Sequence, residues 1–374
     1  MKLESFRLVE EFVAERNASA AVALVEYQGR QYGPAAFGTT AFFPGAPVVT
    51  EDTIFDIASL TKVVGTTTLV LGLVDEGIIG LDTTLGDLAH KYGDVLQDDF
   101  LRLLRRDLPQ EKEKISIAQL LSHTSGLPAW LPLYLDAKSP DEMVQQILGC
   151  DLEYAPGSQV VYSCLGFILL GALIESLTGS PLDQILQKRV LGPLAMNDTF
   201  YNPPEALYPR VAYTEWCLRS KQFLRGTVHD ENAQGLRGIS GNAGLFSTAA
   251  DLAKFARMIL KGGRGGPEGD RVIMSESSLG LLKTCFTEGL NDRRTLGWML
   301  PTPGSSGGNL LSATALGHTG FTGTSLWIDR EQDLFVILLT NRVHPTRNNE
   351  ALFKLRPAFH NSVVKELGPG PHAI

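Results

Sequence analysis

The chain has 374 residues, 44% of them hydrophobic and 20% charged, enough material for one large or two intermediate globular domains. Its formal net charge of -8 argues against a general affinity for nucleic acid or anionic membranes. Four cysteines without a Cys-x-x-Cys pair and seven scattered histidines make no metal-ligand spacing, so neither a metal nor another cofactor is expected.

Residues 3–17 set Leu3, Phe6, Val9, Phe12 and Val13 at helical spacing. This segment lacks the apolar core of a secretory signal, and the apolar runs are too short to cross a bilayer. A cytoplasmic chain with free thiols is therefore expected. Residues 20–27, rich in Ala and Val, read as a strand. Gln28-Gly29-Arg30 then turns the chain into a second strand through 37–43, a hairpin at a sheet edge. Thr53-Ile54-Phe55-Asp56-Ile57 leads into Ser59, and a helix follows to about Val74, stopping near Gly77. Residues 115–121 form a short helix ended by Ser122-His123-Thr124-Ser125-Gly126, where His123 reads as a structural residue in preference to a catalytic one. A helix over 141–148, a turn at Tyr154-Ala155-Pro156-Gly157, and a long helix over 165–177 stopped by Gly179 complete a helical stretch without strand alternation. It suggests a helical subdomain, 66–200, inserted into a sheet domain made of 1–65 and 201–374, with the active site between them.

Past a glycine-rich passage at 235–244, Thr248 and Asp251 form a capping pair. Leu252, Phe255, Ala256, Ile259 and Leu260 give the helix that follows its buried face. Flexible loops are expected at 262–269 and 301–309. Residues 316–321 enter a sheet, 324–329 alternate, 330–333 make a hairpin turn, and six apolar residues at 334–339 suit a strand covered on both faces. Residues 348–367 read as a helix kinked or broken at Pro357. The order predicts an α+β, three-layer α/β/α fold: an antiparallel sheet flanked by helices, with an inserted all-helical subdomain.

Ser59-Leu60-Thr61-Lys62 places a hydroxyl and an amine three residues apart, on one face if a helix begins there. A serine attacks only when a neighbour takes its proton, and a lysine serves if burial lowers its pKa. Ser362 and Lys365 repeat the spacing beside Glu366 in a solvent-exposed pattern, so the spacing alone decides nothing. A second acid/base group and oxyanion donors are also needed. Tyr162, after a Pro-Gly turn, is a candidate for the first. The stretch from His318 to Gly323, whose glycines allow close backbone approach, is a candidate for the second. Taken singly, Tyr162 reads as a half-buried core residue and His318 as a structural histidine.

Ser59-Leu60-Thr61-Lys62, Tyr162-Ser163-Cys164 and His318-Thr319-Gly320 occur in the order of the three active-site motifs of penicillin-recognising serine enzymes. The chain resembles their class C β-lactamase branch, which includes D,D-carboxypeptidases, D-aminopeptidases, family VIII carboxylesterases and acyltransferases. The segments at 120–127 and 244–248 resemble it too, so the likeness runs from about Phe12 to His344. The resemblance implies a serine β-lactamase / D,D-peptidase fold, Ser59 as nucleophile, Lys62 as its proton partner and Tyr162 as general base and later acid. It further implies an oxyanion hole from the amides of Ser59 and Phe321, with His318, Thr319, Gly320 and Cys164 meeting substrate. Cys164 stands where relatives commonly carry an asparagine that bonds the substrate's acylamino group, and a thiol substitutes poorly. The expectation is a carboxylesterase acting on small esters. The alternatives are a D-amino-acid peptidase, D,D-carboxypeptidase or weak β-lactamase, an acyltransferase, and a non-catalytic ligand-binding relative. The expected partner is a small ester or peptide/amide substrate, with no nucleic acid and no membrane.

Overall fold

A computed structural model describes residues 2–92 and 99–368; the parts of the 66–200 and 201–374 spans at 93–98 and 369–374 lie outside these. The unbroken apolar runs near 20–25 and 334–339 are explained by a five-stranded antiparallel sheet. Its strands run in the order Leu316–Thr319, Ser325–Asp329, Leu334–Thr340, Ala20–Tyr27 and Arg30–Gly38. Leu334–Thr340 and Ala20–Tyr27 are inner neighbours, with Ala21 opposite Thr340 and Val25 opposite Val336. Strands flanked by partners and covered on both faces have no solvent side, so hydrophobic residues need not alternate with polar ones.

One sheet face presents Ala21, Ala23, Val25, Val336 and Leu338 to two helices, Phe6–Ala14 and Leu352–Leu367, through Phe6, Val9, Phe12, Phe359 and Val363. The other presents Val22, Leu24, Ile337 and Leu339 to the helix Ala249–Leu260, through Leu252, Phe255 and Ala256. The result is the expected three-layer α+β arrangement. The helix Leu352–Leu367 runs through Pro357 without breaking. A proline in a helix interior costs about 3 kcal/mol, but Leu352, Leu355, Phe359 and Val363 are buried on either side of it. Each such side chain contributes about 1.5–3 kcal/mol, so the packed face wins.

From Lys62 to Leu191 the named elements, among the described residues, are all helical. At their centre Cys164–Thr178 buries Leu165, Phe167, Leu169, Leu170 and Ile174 and ends at Gly179, whose φ of 62° is the left-handed cap glycine tolerates. No single helix among the described residues is long and apolar enough to cross a membrane.

Three local expectations change. The second strand begins at Arg30, because Gln28 and Gly29 both take positive φ and make a two-residue hairpin turn. Within 262–269, Arg264–Gly265 pairs with Arg271–Val272 as a small ribbon, so that stretch is not simply loop. The helix after Ser59 opens with a π-type turn, Lys62–Thr67, before the α-helix Thr68–Asp75; Thr68 Oγ1 donates to the Val63 carbonyl at 2.9 Å and holds the wide turn.

Candidate active site

The short strand Phe55–Asp56 pairs with Leu245–Ser247, and the Ile57 N–H donates to Leu245 O at 3.0 Å. The chain then turns sharply at Ala58, whose φ of 46° is costly for a residue with a Cβ. Asp56 offsets that cost: one carboxylate oxygen accepts the Ala58 N–H at 2.8 Å and the other accepts the His229 N–H at 2.7 Å. From the sheet side, Thr322 Oγ1 donates to Asp56 O at 2.7 Å and Thr324 Oγ1 to Ile57 O at 3.0 Å. The strand end passes so close that a Cβ on Gly320 would overlap the Ile57 carbonyl and Thr324 Oγ1. These bonds bring residues 318–321 beside Ser59. Neither the Ser59 nor the Phe321 N–H donates to a protein acceptor among the described residues.

Asp56 is buried, which pushes its carboxyl up, while the amides of His229 and Ala58 pull it down; the balance is a pKa raised from 3.8 to about 6. The native state thus holds this proton more tightly than the unfolded chain. Its contribution to stability is full below pH 3.8 and is lost as pH rises through about 6. In Asp56→Asn that slope should vanish, and one of the two amides is left unpaired because Asn has a single acceptor oxygen. Melting temperatures of both proteins between pH 4 and pH 7 check this; parallel curves would refute it.

Lys62 is buried, and its ammonium donates to Ser59 Oγ at 3.1 Å, Asn242 O at 2.8 Å and Cys164 Sγ at 3.6 Å, committing all three protons. The sequence expectation was that burial lowers this pKa. Burial does push it down, but the acidic groups of Cys164 and Tyr162 beside it outweigh burial, and the net shift is upward. Lys62 is therefore a charged donor in the resting site.

Tyr162 lies within reach of that charge, its ring centre 5.0 Å from Lys62 Nζ. Burial pushes its phenol up; Lys62 and Ser59 pull it down but do not overcome burial. Both are close enough to act on the phenol electrostatically, although Oη completes no well-formed hydrogen bond. Arg294, buried, places its guanidinium 5.3 Å from the same ring. His123 packs on the ring at 4.5 Å, its Nδ1 accepting the Ser163 N–H at 3.1 Å. His318 lies 5.8 Å from the ring, and its Nδ1 bonds the Thr319 carbonyl at 3.0 Å. Burial first, then Lys62 and Arg294, hold both imidazoles neutral, their pKa values well below the usual 6.5. With Nδ1–H spent on a carbonyl, His318 Nε2 carries a lone pair, buried and without a partner.

The site therefore gathers Ser59, Lys62, Tyr162 and Cys164 around one ammonium. A cavity of about 320 Å³ opens on Ser59, Tyr162, Cys164 and Phe321, with Trp130, Asp230, Glu231 and Arg347 on its walls. His318 and Gly320 are buried at Tyr162 and Ile57 rather than on the cavity wall, and Thr319 is half-buried beside them. Ser362 and Lys365 lie apart, in a surface groove at the Phe6–Ala14 helix beside Glu366. Sequence reasoning missed Asp56, Asn242, Asp230 and Arg294. An aspartate two residues before the Ala58 turn was a readable Asx-turn signal; Arg294, within Asn291-Asp292-Arg293-Arg294, looks like any solvated polar stretch.

The sequence model of the family described as Beta-lactamase matches residues 6–358. The chain is 30% identical over 380 residues to the N-acetylmuramyl-L-alanine amidase of Bacillus subtilis (strain 168), covering 91% of this chain and 82% of that protein. It is 31% identical over 320 residues to a putative D-alanyl-D-alanine carboxypeptidase of Escherichia coli O157:H7, covering 79% and 70%. Among solved structures it is similar to EstCE1, a hydrolase with promiscuous acyltransferase activity, with a TM-score of 0.72, 18% identity, and coverage of 95% and 97% of the two chains.

Proposed function

The chain belongs to the β-lactamase family of serine hydrolases, and we propose that Ser59 is its nucleophile and uncharged carboxylic esters its preferred substrates. Ser59 Oγ attacks the ester carbonyl carbon while its proton passes to Tyr162 in the phenolate form, stabilised by the Lys62 ammonium 5.0 Å from its ring. The oxyanion is received by the unpartnered amides of Ser59 and Phe321. The intermediate collapses as the C–O bond to the alcohol breaks and Tyr162 returns the proton to that oxygen. Water then repeats the sequence on the acyl-enzyme, Tyr162 taking its proton, and frees the acid and Ser59. Transfer to a second alcohol would use the same acyl-enzyme, so acyl transfer stays within the reading.

One observation carries the ester assignment. Among the described residues lining this cavity, Arg347 is the only arginine or lysine, and it is already bound to Glu231 at 2.7 Å and to Glu215, while Asp230 and Glu231 face the same cavity. The described lining residues thus offer no unpaired arginine or lysine to a peptide carboxylate, and the wall's own carboxylates repel one. Cys164 also offers no amide to an acylamino group. A second reading is favoured by Asp230, whose Oδ1 accepts the Ala233 N–H and whose other oxygen is available to an ammonium: hydrolysis of D-amino-acid amides with a free amine. One preparation assayed on p-nitrophenyl acetate and butyrate, D-alanine p-nitroanilide, an acylated D-alanyl-D-alanine peptide and a chromogenic cephalosporin separates these. The expected order places the esters first and the anionic substrates last; a peptide turned over faster than the esters overturns the assignment.

A further inference from the structure

Two cavities share part of their walls, and one of them opens on Ser59. Next to the one that holds the serine lies a second of about 360 Å³, under the hairpin of Trp216–Cys217 and Gln222–Phe223. His229, Glu231 and Arg347 belong to the walls of both. Their charged ends are committed to one another. Glu215 accepts from His229 Nε2 at 2.9 Å and from Arg347 Nε, and Arg347 Nη2 donates to Glu231 at 2.7 Å. Burial pushes Glu215 up, but the bonds from His229 and Arg347 pull its carboxyl down further, to about 2, so it stays ionised against them. Arg219, on the far wall, donates to Gln234 Oε1 at 2.9 Å.

What the second cavity leaves for a ligand is apolar. Trp216 is 44% exposed and Leu218 85% exposed, with Leu224 and Tyr134 beside them. Trp130 and Phe321, also exposed, stand on the serine side. Among the described residues, four of the nine exposed large hydrophobic side chains thus line these two adjoining cavities, a concentration that marks a binding surface. None of the second cavity's lining residues holds a buried polar atom without a partner, in contrast to Tyr162 on the serine side.

We propose that the cavity under Trp216 is a subsite for the apolar half of an extended ester whose carbonyl sits at Ser59. The proposal rests on the esterase reading above. Apolar burial of one methylene corresponds to about a fourfold gain in kcat/KM, so activity should climb with chain length in whichever half of the ester enters the subsite. Two series decide which: p-nitrophenyl esters from acetate to octanoate vary the acyl chain, and acetates from methyl to octyl vary the alcohol. Trp216→Ala should at least halve the slope of one series while leaving p-nitrophenyl acetate unchanged. Leu218→Glu, at an exposed position where folding is not at stake, should do the same. Loss of slope in the acyl series assigns the acyl group to the subsite, and loss in the alcohol series assigns the leaving group. An active enzyme with flat slopes, slopes that neither variant alters, or acetate activity falling in step with the long esters overturns the subsite alone. A wild-type protein inert to every ester overturns the esterase reading together with it.

Discussion

Ser59→Ala is expected to lose p-nitrophenyl ester turnover by on the order of 10⁶-fold, the scale seen when the nucleophile of an acyl-enzyme mechanism is removed. The fold should survive. The change deletes one acceptor of the Lys62 ammonium, worth about 0.5–1.5 kcal/mol, while Asn242 O at 2.8 Å and Cys164 Sγ at 3.6 Å remain. The turn that holds residue 59 also stays, because its bonds come from Asp56, Thr322 and Thr324. Two measurements check this. The circular dichroism melt should shift by a few degrees at most, and a fluorophosphonate should add its mass to residue 59 of the wild-type protein and to nothing in the variant. Full turnover in a folded Ser59→Ala protein, or an adduct on another residue, refutes the assignment.

Tyr162→Phe is expected to cost about 10²–10⁴-fold in kcat, the usual contribution of a general acid–base group, and to leave slow labelling of Ser59 intact. Phenylalanine keeps the ring that packs on His123 at 4.5 Å and lies near Lys62 and Arg294, so the buried cluster remains filled. The pH profile separates this from damage by misfolding. Burial holds the Tyr162 phenol above its ordinary value against the pull of Lys62 and Ser59, so the neutral phenol dominates near neutral pH. In the proposed mechanism the reactive form is the phenolate, and kcat/KM of the wild-type protein should therefore rise as the solution becomes more alkaline. In the phenylalanine variant that rise should disappear. A variant within tenfold of wild type that keeps the alkaline rise removes Tyr162 from proton transfer.

The layered sheet was readable because its signals are local and repeated: apolar runs at 20–25 and 334–339, a turn at Gln28-Gly29 and capped helices such as Thr248 with Asp251. Ser59 and Lys62 were readable as a pair for the same reason, since both sit on one turn. Tyr162 and His318 were not readable from composition or spacing; the order of three motifs singled them out. The charge state of Lys62 was misread because the groups that raise it, Cys164, Tyr162 and Asp230, come from segments far along the chain. Arg294 escaped for a related reason. Its place beside the Tyr162 ring is a product of packing between segments 132 residues apart, and no local pattern marks it.

The sheet order also fixes when activity can first appear during synthesis. The strand Leu334–Thr340 pairs with Ala20–Tyr27 across more than 300 residues, and the turn at Ser59 is tied by Thr322 and Thr324. Contacts of such long sequence separation carry the largest loop-closure cost and form late. A chain emerging N-terminus first can pack its helices around Cys164–Thr178, and even bring Ser59 and Lys62 onto one turn, while Phe321, whose amide is proposed to receive the oxyanion, is still unmade. Under the proposed mechanism, ribosome-bound and C-terminally truncated chains are therefore expected to be silent, kept from acylation by topology alone until the last strands close.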